Sequence, residues 1–291
     1  MRSKAMKKVL IVSLILGCFL ALSPGISGAG TFMVGGKYWY AEWESAVLDW
    51  FEKDISAGLK EQGVDLQSDI DTGTGYLAGP LLGYQTDNGK WAVSLAAMVF
   101  SDFSQDWTGN AGSMMLDTNV DTERMDLDFA VIYALSQYGD AWSLFKYTRV
   151  FAGYKFQKVE YDLDLGYQTF MGDRQFRYKL DADVHMPTLG IGFVYPIFEK
   201  LVVGLQGGIG LALTELEMTD PDGVKFDISP DASITYNGEF TVTWLPIEHL
   251  IIQAGLRGQM WYLKARSPVW WEETESEDIT WGPTVSVVLA F

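Results

Sequence analysis

From Thr31 onward the chain keeps returning to segments of about ten residues in which every second side chain is apolar. This period-two pattern constrains the fold more than any other feature. In Ser233–Trp244, Ile234, Tyr236, Phe240, Val242 and Trp244 form one face, and Ser233, Thr235, Asn237, Glu239, Thr241 and Thr243 form the other. In Leu201–Leu213, the Leu201, Val203, Leu205, Ile209, Leu211 and Leu213 set opposes Gly204, Gln206, Gly208 and Gly210. Met125, Leu127, Phe129 and Val131 alternate with Arg124, Asp126 and Asp128. Side chains of a strand point to opposite faces with period two, so each segment reads as a strand with one apolar and one polar or small face.

Two architectures bury such faces: a soluble β-sandwich, or a closed barrel whose apolar face meets lipid. The connectors separate them. Short ones fall at Asp87–Lys90, around Tyr138–Asp140, at Pro196–Lys200 and at Pro246–His249; long ones span roughly 44–73, 104–121, 161–179, 216–230 and 266–277. Short turns on one side and long loops on the other are the layout of an outer-membrane barrel. The spans 31–43, 74–86, 91–103, 122–137, 145–160, 180–195, 201–215, 231–245, 250–265 and 278–291 give an all-β, antiparallel transmembrane β-barrel of ten strands, with eight or twelve as the neighbouring counts. In the sixth strand the apolar set Leu180, Ala182, Val184, Met186 gives way after Pro187 to Leu189, Ile191, Phe193, Tyr195. That slip predicts a β-bulge near Pro187.

The front of the chain predicts export. Arg2, Lys4, Lys7 and Lys8 precede an apolar run from Val9 to Leu22, then Pro24-Gly25 and small residues at Ser27 and Ala29. Residues 1–29 read as a cleaved signal peptide and 30–291 as the barrel domain. A retained anchor is the alternative, against which the run is shorter than the ~20 residues of a spanning helix. Cys18, the sole cysteine, lies in the signal, so disulfide and thiolate chemistry drop out of the mature chain. The formal charge of −17 excludes nucleic-acid binding through a basic face.

The last strand must close the ring. Val285, Val287, Leu289 and Phe291 form its lipid face, and the strand must pair with the first to leave no free edge in hydrocarbon. With this ending, and with Gly35–Trp43 and Phe151–Phe156, the chain resembles small bacterial outer-membrane β-barrels of the OmpA-like or OmpW-like kind. The resemblance implies an outer-membrane location and contact with outer-membrane lipid and lipopolysaccharide. It also implies that Val287, Leu289 and Phe291 are read by the barrel-assembly machinery. Aromatics at Tyr84, Trp91, Tyr133, Trp142, Tyr195 and Trp244 are expected in a belt near the short turns. Tyr38, Tyr40, Trp43, Tyr154, Trp261, Tyr262 and Trp281 are expected in a second belt toward the loops.

Ten strands enclose an interior little wider than that of eight, which side chains fill. The predicted inward charges are Lys37, Arg124, Asp126, Asp128, Arg149, Lys155, Glu239 and Arg257. Buried charges must pair, so these read either as an ion-pair network plugging the lumen or as a narrow polar path for a small solute. The expected function is therefore non-enzymatic: a structural or surface barrel, or a narrow pore. An alternative is a rim-active hydrolase using His185 with Asp181 or Asp183, which share one strand face. Omptin proteases pair a histidine with aspartates and lipid A deacylase barrels a histidine with a serine, but neither motif matches residue by residue. His249 falls in a turn and reads as solvated. Val47, Trp50, Phe51, Asp54, Ile55 and Leu59 recur at helical spacing, predicting a short helix in the first long loop, either lid or strand extension. Acidic stretches at 44–70 and at Glu272, Glu273, Glu275, Glu277 and Asp278 read as a hydrated face, or as carboxylates bridged by divalent cations to lipopolysaccharide phosphates. Asp69–Gly75 lacks the downstream glutamate of a calcium loop, so no metal site and no cofactor are expected, and oligomeric state is left open.

Overall fold

The computed structural model describes residues 30–61, 63–70, 72–111, 114–135, 145–169, 172–266 and 273–291. The predicted signal peptide, the turn at Tyr138–Asp140 with Trp142, and Glu272 lie outside these residues. The strands are β1 (Gly30–Glu44), β2 (Leu66–Ile70), β3 (Gly73–Thr86), β4 (Trp91–Met98), β5 (Phe100–Ala111), β6 (Met114–Ala134) and β7 (Thr148–Thr169). They continue as β8 (Gly172–Phe198), β9 (Leu201–Thr219), β10 (Lys225–Ile228), β11 (Ser233–Ile247), β12 (Leu250–Arg266) and β13 (Glu273–Ala290). One helix, α1 (Ala46–Glu61), follows β1.

Neighbours pair antiparallel around a closed ring, β4 and β5 together forming one wall position, so the barrel has ten strands. Closure is made by β1, which pairs β3 on one edge and β13 on the other, from Met33↔Ala290 to Glu44↔Ile279. Phe291 holds the end of this seam. Its N–H donates to Phe32 O at 2.8 Å and its carbonyl accepts from Phe32 N at 3.1 Å. Its ring is 70% exposed, on the outer wall. At Asp87–Lys90, Gly89 takes φ +64° and its N–H bonds Thr86 O, the tight hairpin expected of Asn-Gly.

The strands far outrun the membrane. β8 has 27 residues, against the ~10 that cross an apolar band. The wall therefore changes solvent part-way up, and side-chain polarity inverts with it. On β9, Leu205, Ile209, Leu211 and Leu213 point outward and are 45–56% exposed. Above them the outward positions become Glu215 and Glu217, while Leu216 and Met218 turn inward and are buried. β8 behaves alike: Leu189, Ile191, Phe193 and Tyr195 face out below, Asp181, Asp183 and His185 face out above, and Leu180, Ala182, Val184 and Met186 are buried inside.

This inversion corrects the bulge expected at Pro187. Pairing with β7 runs unbroken through Tyr154↔Pro187 and Lys155↔Met186. The apolar set changes phase because the strand leaves hydrocarbon, not because the backbone slips. A true irregularity lies between β4 and β5. Against β3, the pairing steps from Leu81↔Ala96 to Ala78↔Phe100, one residue more on the β4–β5 side. Below it Trp91 and Val93 face out; above it Phe103, Gln105 and Trp107 face in and are buried. The extra residue converts an apolar-out strand into an apolar-in one.

Candidate functional site: the barrel lumen

The lumen is layered. Its loop-side half is an apolar core, and α1 is the cap of that core. Ser45 starts the helix, its Oγ accepting from Leu48 N at 3.3 Å and bonding Tyr161 OH at 2.5 Å. Gly63, at φ +77°, ends it with Gly63 N→Lys60 O and Val64 N→Leu59 O bonds. The spacing that predicted the helix is the one that packs it: Val47, Leu48, Trp50 and Phe51 are at most 1% exposed. Phe51 meets Trp107 and Tyr178 edge-on at 6.0 and 5.2 Å. Lys53 ties the helix to β13 through Glu275 O at 2.9 Å. Below α1, Trp39, Trp43, Trp261 and Leu263 close the section at 0–1% exposure.

Trp43 and Trp261, expected in the outer belt, are thus inside. Both occupy inward positions of strands that have already left the bilayer, where the dry side is the interior. The same reason corrects Asp278. Expected on a hydrated acidic face, it is 1% exposed and accepts from Trp43 Nε1 at 2.9 Å. Among the belt residues, Trp91, Tyr195 and Trp244 near the short turns, and Tyr38, Tyr40, Tyr154 and Trp281 toward the loops, are 43–56% exposed on the outer wall.

Beneath the tryptophans lies a charged layer built from residues with alternating inward register. Arg124 donates to both carboxylate oxygens of Asp126 at 3.0 and 3.1 Å, to Thr280 Oγ1 at 2.9 Å and to Gln157 Oε1 at 3.2 Å. Lys155 Nζ lies 2.7 Å from Asp126 Oδ2 and also bonds Gln259. Arg257 pairs with Asp128 at 2.7 Å, and Lys37 with Glu239 at 2.9 Å. Trp39 roofs the layer: Arg257, Lys155 and Arg124 approach its ring centroid at 4.8, 5.6 and 5.8 Å. Seven of the eight predicted inward charges are joined here; Arg149 stands apart, nearer the short turns.

Toward the short turns is a cavity of about 350 Å³ whose upper lining is the layer itself, Asp128 and Glu239 included, and whose lower lining includes Arg149, Phe151, Gln206 and Asn237. Glycines widen it. Gly190 and Gly208 make room for Phe151, whose ring a Cβ at Gly190 would strike.

The candidate hydrolytic residues do not face the lumen. His185 is on the outer wall at the upper edge of the apolar band, where its Nδ1 bonds Tyr154 OH at 2.5 Å and its ring meets Phe156 at 5.0 Å. Asp183 pairs with Lys158 at 3.3 Å. The structure brings His185 to a tyrosine, not to a carboxylate. Above it, β7 to β10 carry a cross-strand row of carboxylates. Glu160 opposes Asp181, Asp181 opposes Glu217, and Glu217 opposes Asp227. Burial, and then the neighbouring carboxylate of Glu160, push the Asp181 pKa up. Lys179 and Arg177 reach Asp162 at 3.3 and 3.4 Å, and Lys225 bonds Glu217. His249 is tied in, its Nδ1 3.1 Å from Ala290 O. No cluster of three or more metal-ligating side chains occurs among the described residues.

A ten-stranded antiparallel barrel with a hydrocarbon-facing belt and a terminal strand sealed against the first is an outer-membrane β-barrel, and that is the class of this chain. No protein-family model matches it. No curated protein matches it either. Among solved structures it is similar to the translocator domain of the autotransporter NalP from Neisseria meningitidis, with 11% identity, TM-score 0.44 and 96% of each chain covered. It is similar also to the outer membrane protease OmpT from Escherichia coli, with 10% identity, TM-score 0.46 and 90% of this chain and 95% of that chain covered. The outer membrane protein OprG from Pseudomonas aeruginosa gives 12% identity, TM-score 0.32, and 90% and 96% coverage.

Proposed function

We propose that this protein is a non-enzymatic, non-conducting structural barrel of the outer-membrane surface. The observation that carries this reading is the double seal of the lumen: the α1-capped tryptophan core above and the Arg124–Asp126–Lys155 layer below. A path for solute would have to cross both. The test is reconstitution in planar bilayers. The sealed barrel gives no steady conductance steps, whereas reproducible steps would restore the narrow-pore reading. The hydrolase reading loses support from the pairing of His185 with Tyr154 and of Asp183 with Lys158. A hydrolytic activity of the purified barrel that disappears in His185→Ala would revive it.

The outer wall suggests the partner. Carboxylates replace aliphatic side chains one strand step above Leu213, at the edge of the apolar band, the level this reading gives to lipopolysaccharide phosphates. Bridging by divalent cations, which favour carboxylate oxygens, would join Asp183 and Glu215 to those phosphates. During biogenesis the strand ending in Val287, Leu289 and Phe291 is the segment offered to the assembly machinery.

A further inference from the structure

Arg149 is the loose end of the lumen. From Asp278 down to the short turns, the inward carboxylates are Asp126, Asp128, Glu239 and Asp278, against the cations Lys37, Arg124, Lys155, Arg257 and Arg149. Asp128 and Glu239 are each taken by a cation, and Asp126 by two, of which Arg124 also lies under Asp278. Arg149 alone makes no ion pair among the described residues. It lies six residues along β7 from Lys155, roughly 20 Å of strand, and the two carboxylates that line its cavity, Asp128 and Glu239, are held by Arg257 and Lys37. An uncompensated cation within the membrane's thickness is costly, and such groups usually face a partner or a wet cavity.

The surroundings of Arg149 leave room for a partner. Across β8 it opposes Gly192, which opposes Gln206 on β9, whose Nε2 donates one of its two N–H groups to Glu239 Oε2 at 2.9 Å. The glycine leaves a gap in the wall between a guanidinium and a carboxamide. Phe151, two residues along the same inward face, lies over Gly190 and Gly208 and gives the gap an apolar flank. Thr241 reaches toward Gly204 on the far side. The sealed layers above leave the short-turn end as the way in.

We propose that this cavity is a periplasm-facing site for a small organic oxyanion, its carboxylate or phosphate head held by Arg149 and by the Gln206 N–H that Glu239 leaves free, and its apolar body laid along Phe151. The site needs no passage through the barrel, so it stands whether or not the lumen conducts. The test is calorimetric titration of the detergent-purified, full mature barrel with sodium benzoate, benzamide being the neutral probe of the same shape and acetate the probe of the head alone. Benzoate should saturate at one per barrel, bind more tightly than acetate, and lose at least about 10-fold in affinity in Arg149→Gln, the worth of one charge-assisted contact. Arg149→Lys, which keeps the charge, should retain part of the binding and guards against a variant that fails to fold. Shifted gel mobility on heating checks the fold of each. Benzamide binding as well as benzoate, acetate binding as tightly as benzoate, unchanged benzoate binding in Arg149→Gln, or no benzoate binding to the wild-type barrel would each overturn the proposal.

Discussion

Removing the two largest side chains of the cap, in Trp50→Ala/Phe51→Ala, separates the two seals. Val47, Leu48, Trp50 and Phe51 are the fully buried face of α1. At roughly 1.5–3 kcal/mol each, their burial contributes about 6–12 kcal/mol to docking the helix, an upper value because the undocked segment stays partly collapsed. Truncating a buried tryptophan or phenylalanine costs about 3–5 kcal/mol, so the pair costs about 6–10 kcal/mol. That offsets nearly all of the docking energy while leaving every strand pairing of the barrel intact. We expect amide exchange across residues 46–61 to rise toward the unprotected rate while β7, β8 and β12 keep their protection. We also expect planar bilayers to stay silent, because the Arg124–Asp126–Lys155 layer beneath is untouched. If α1 remains as protected as the strands, the burial argument is wrong. If steady conductance steps appear, the charged layer is not a seal and the two-layer account fails.

Other outcomes test the remaining parts. Arg124→Ala strips both oxygens of Asp126 of a guanidinium and empties the contact with Trp43, whose ring centroid lies 4.8 Å away. Breaking such a buried pair costs about 3–5 kcal/mol, readable as a lower urea midpoint in lipid vesicles. Asp181 is held with a raised pKa, so its ionised form opposes folding. That penalty is complete above the raised folded pKa and gone below the ordinary carboxylate range. Asp181→Asn should therefore raise the thermal midpoint at pH 7 and change nothing near pH 3; stabilisation that persists at pH 3 would contradict the account of a carboxylate strained by burial and by Glu160. Millimolar calcium should likewise raise the wild-type midpoint at pH 7, and by less in Asp183→Asn/Glu215→Gln. Deleting Phe291 removes two backbone bonds at the seam, and we expect slower folding into vesicles with the native barrel still reached.

Much of the architecture could be read from residue order alone, for a definite physical reason. In hydrocarbon every backbone group must be paired within the wall, and each strand shows lipid one face of fixed period. Leu205, Ile209 and Leu211 on β9, or Val285 and Val287 on β13, report that environment directly, and the inward register of Arg124, Asp126 and Asp128 follows. Above the bilayer the same period survives, but the meaning of its two faces is reversed. An apolar run such as Leu180–Ala182–Val184–Met186 says only that one face is dry; which face that is depends on whether lipid or water lies outside. Only the assembled barrel, with α1 folded into its mouth, decides that these residues, and Trp43, Trp261 and Asp278 with them, point inward. Pairing of side chains from distant strands, such as Arg124 with Thr280 or Lys37 with Glu239, is likewise set by closure of the ring. The residue order of each strand shows that one of its faces is dry, whereas the closed wall decides which face that is, because burial is a property of neighbours that the order of residues along one strand does not contain.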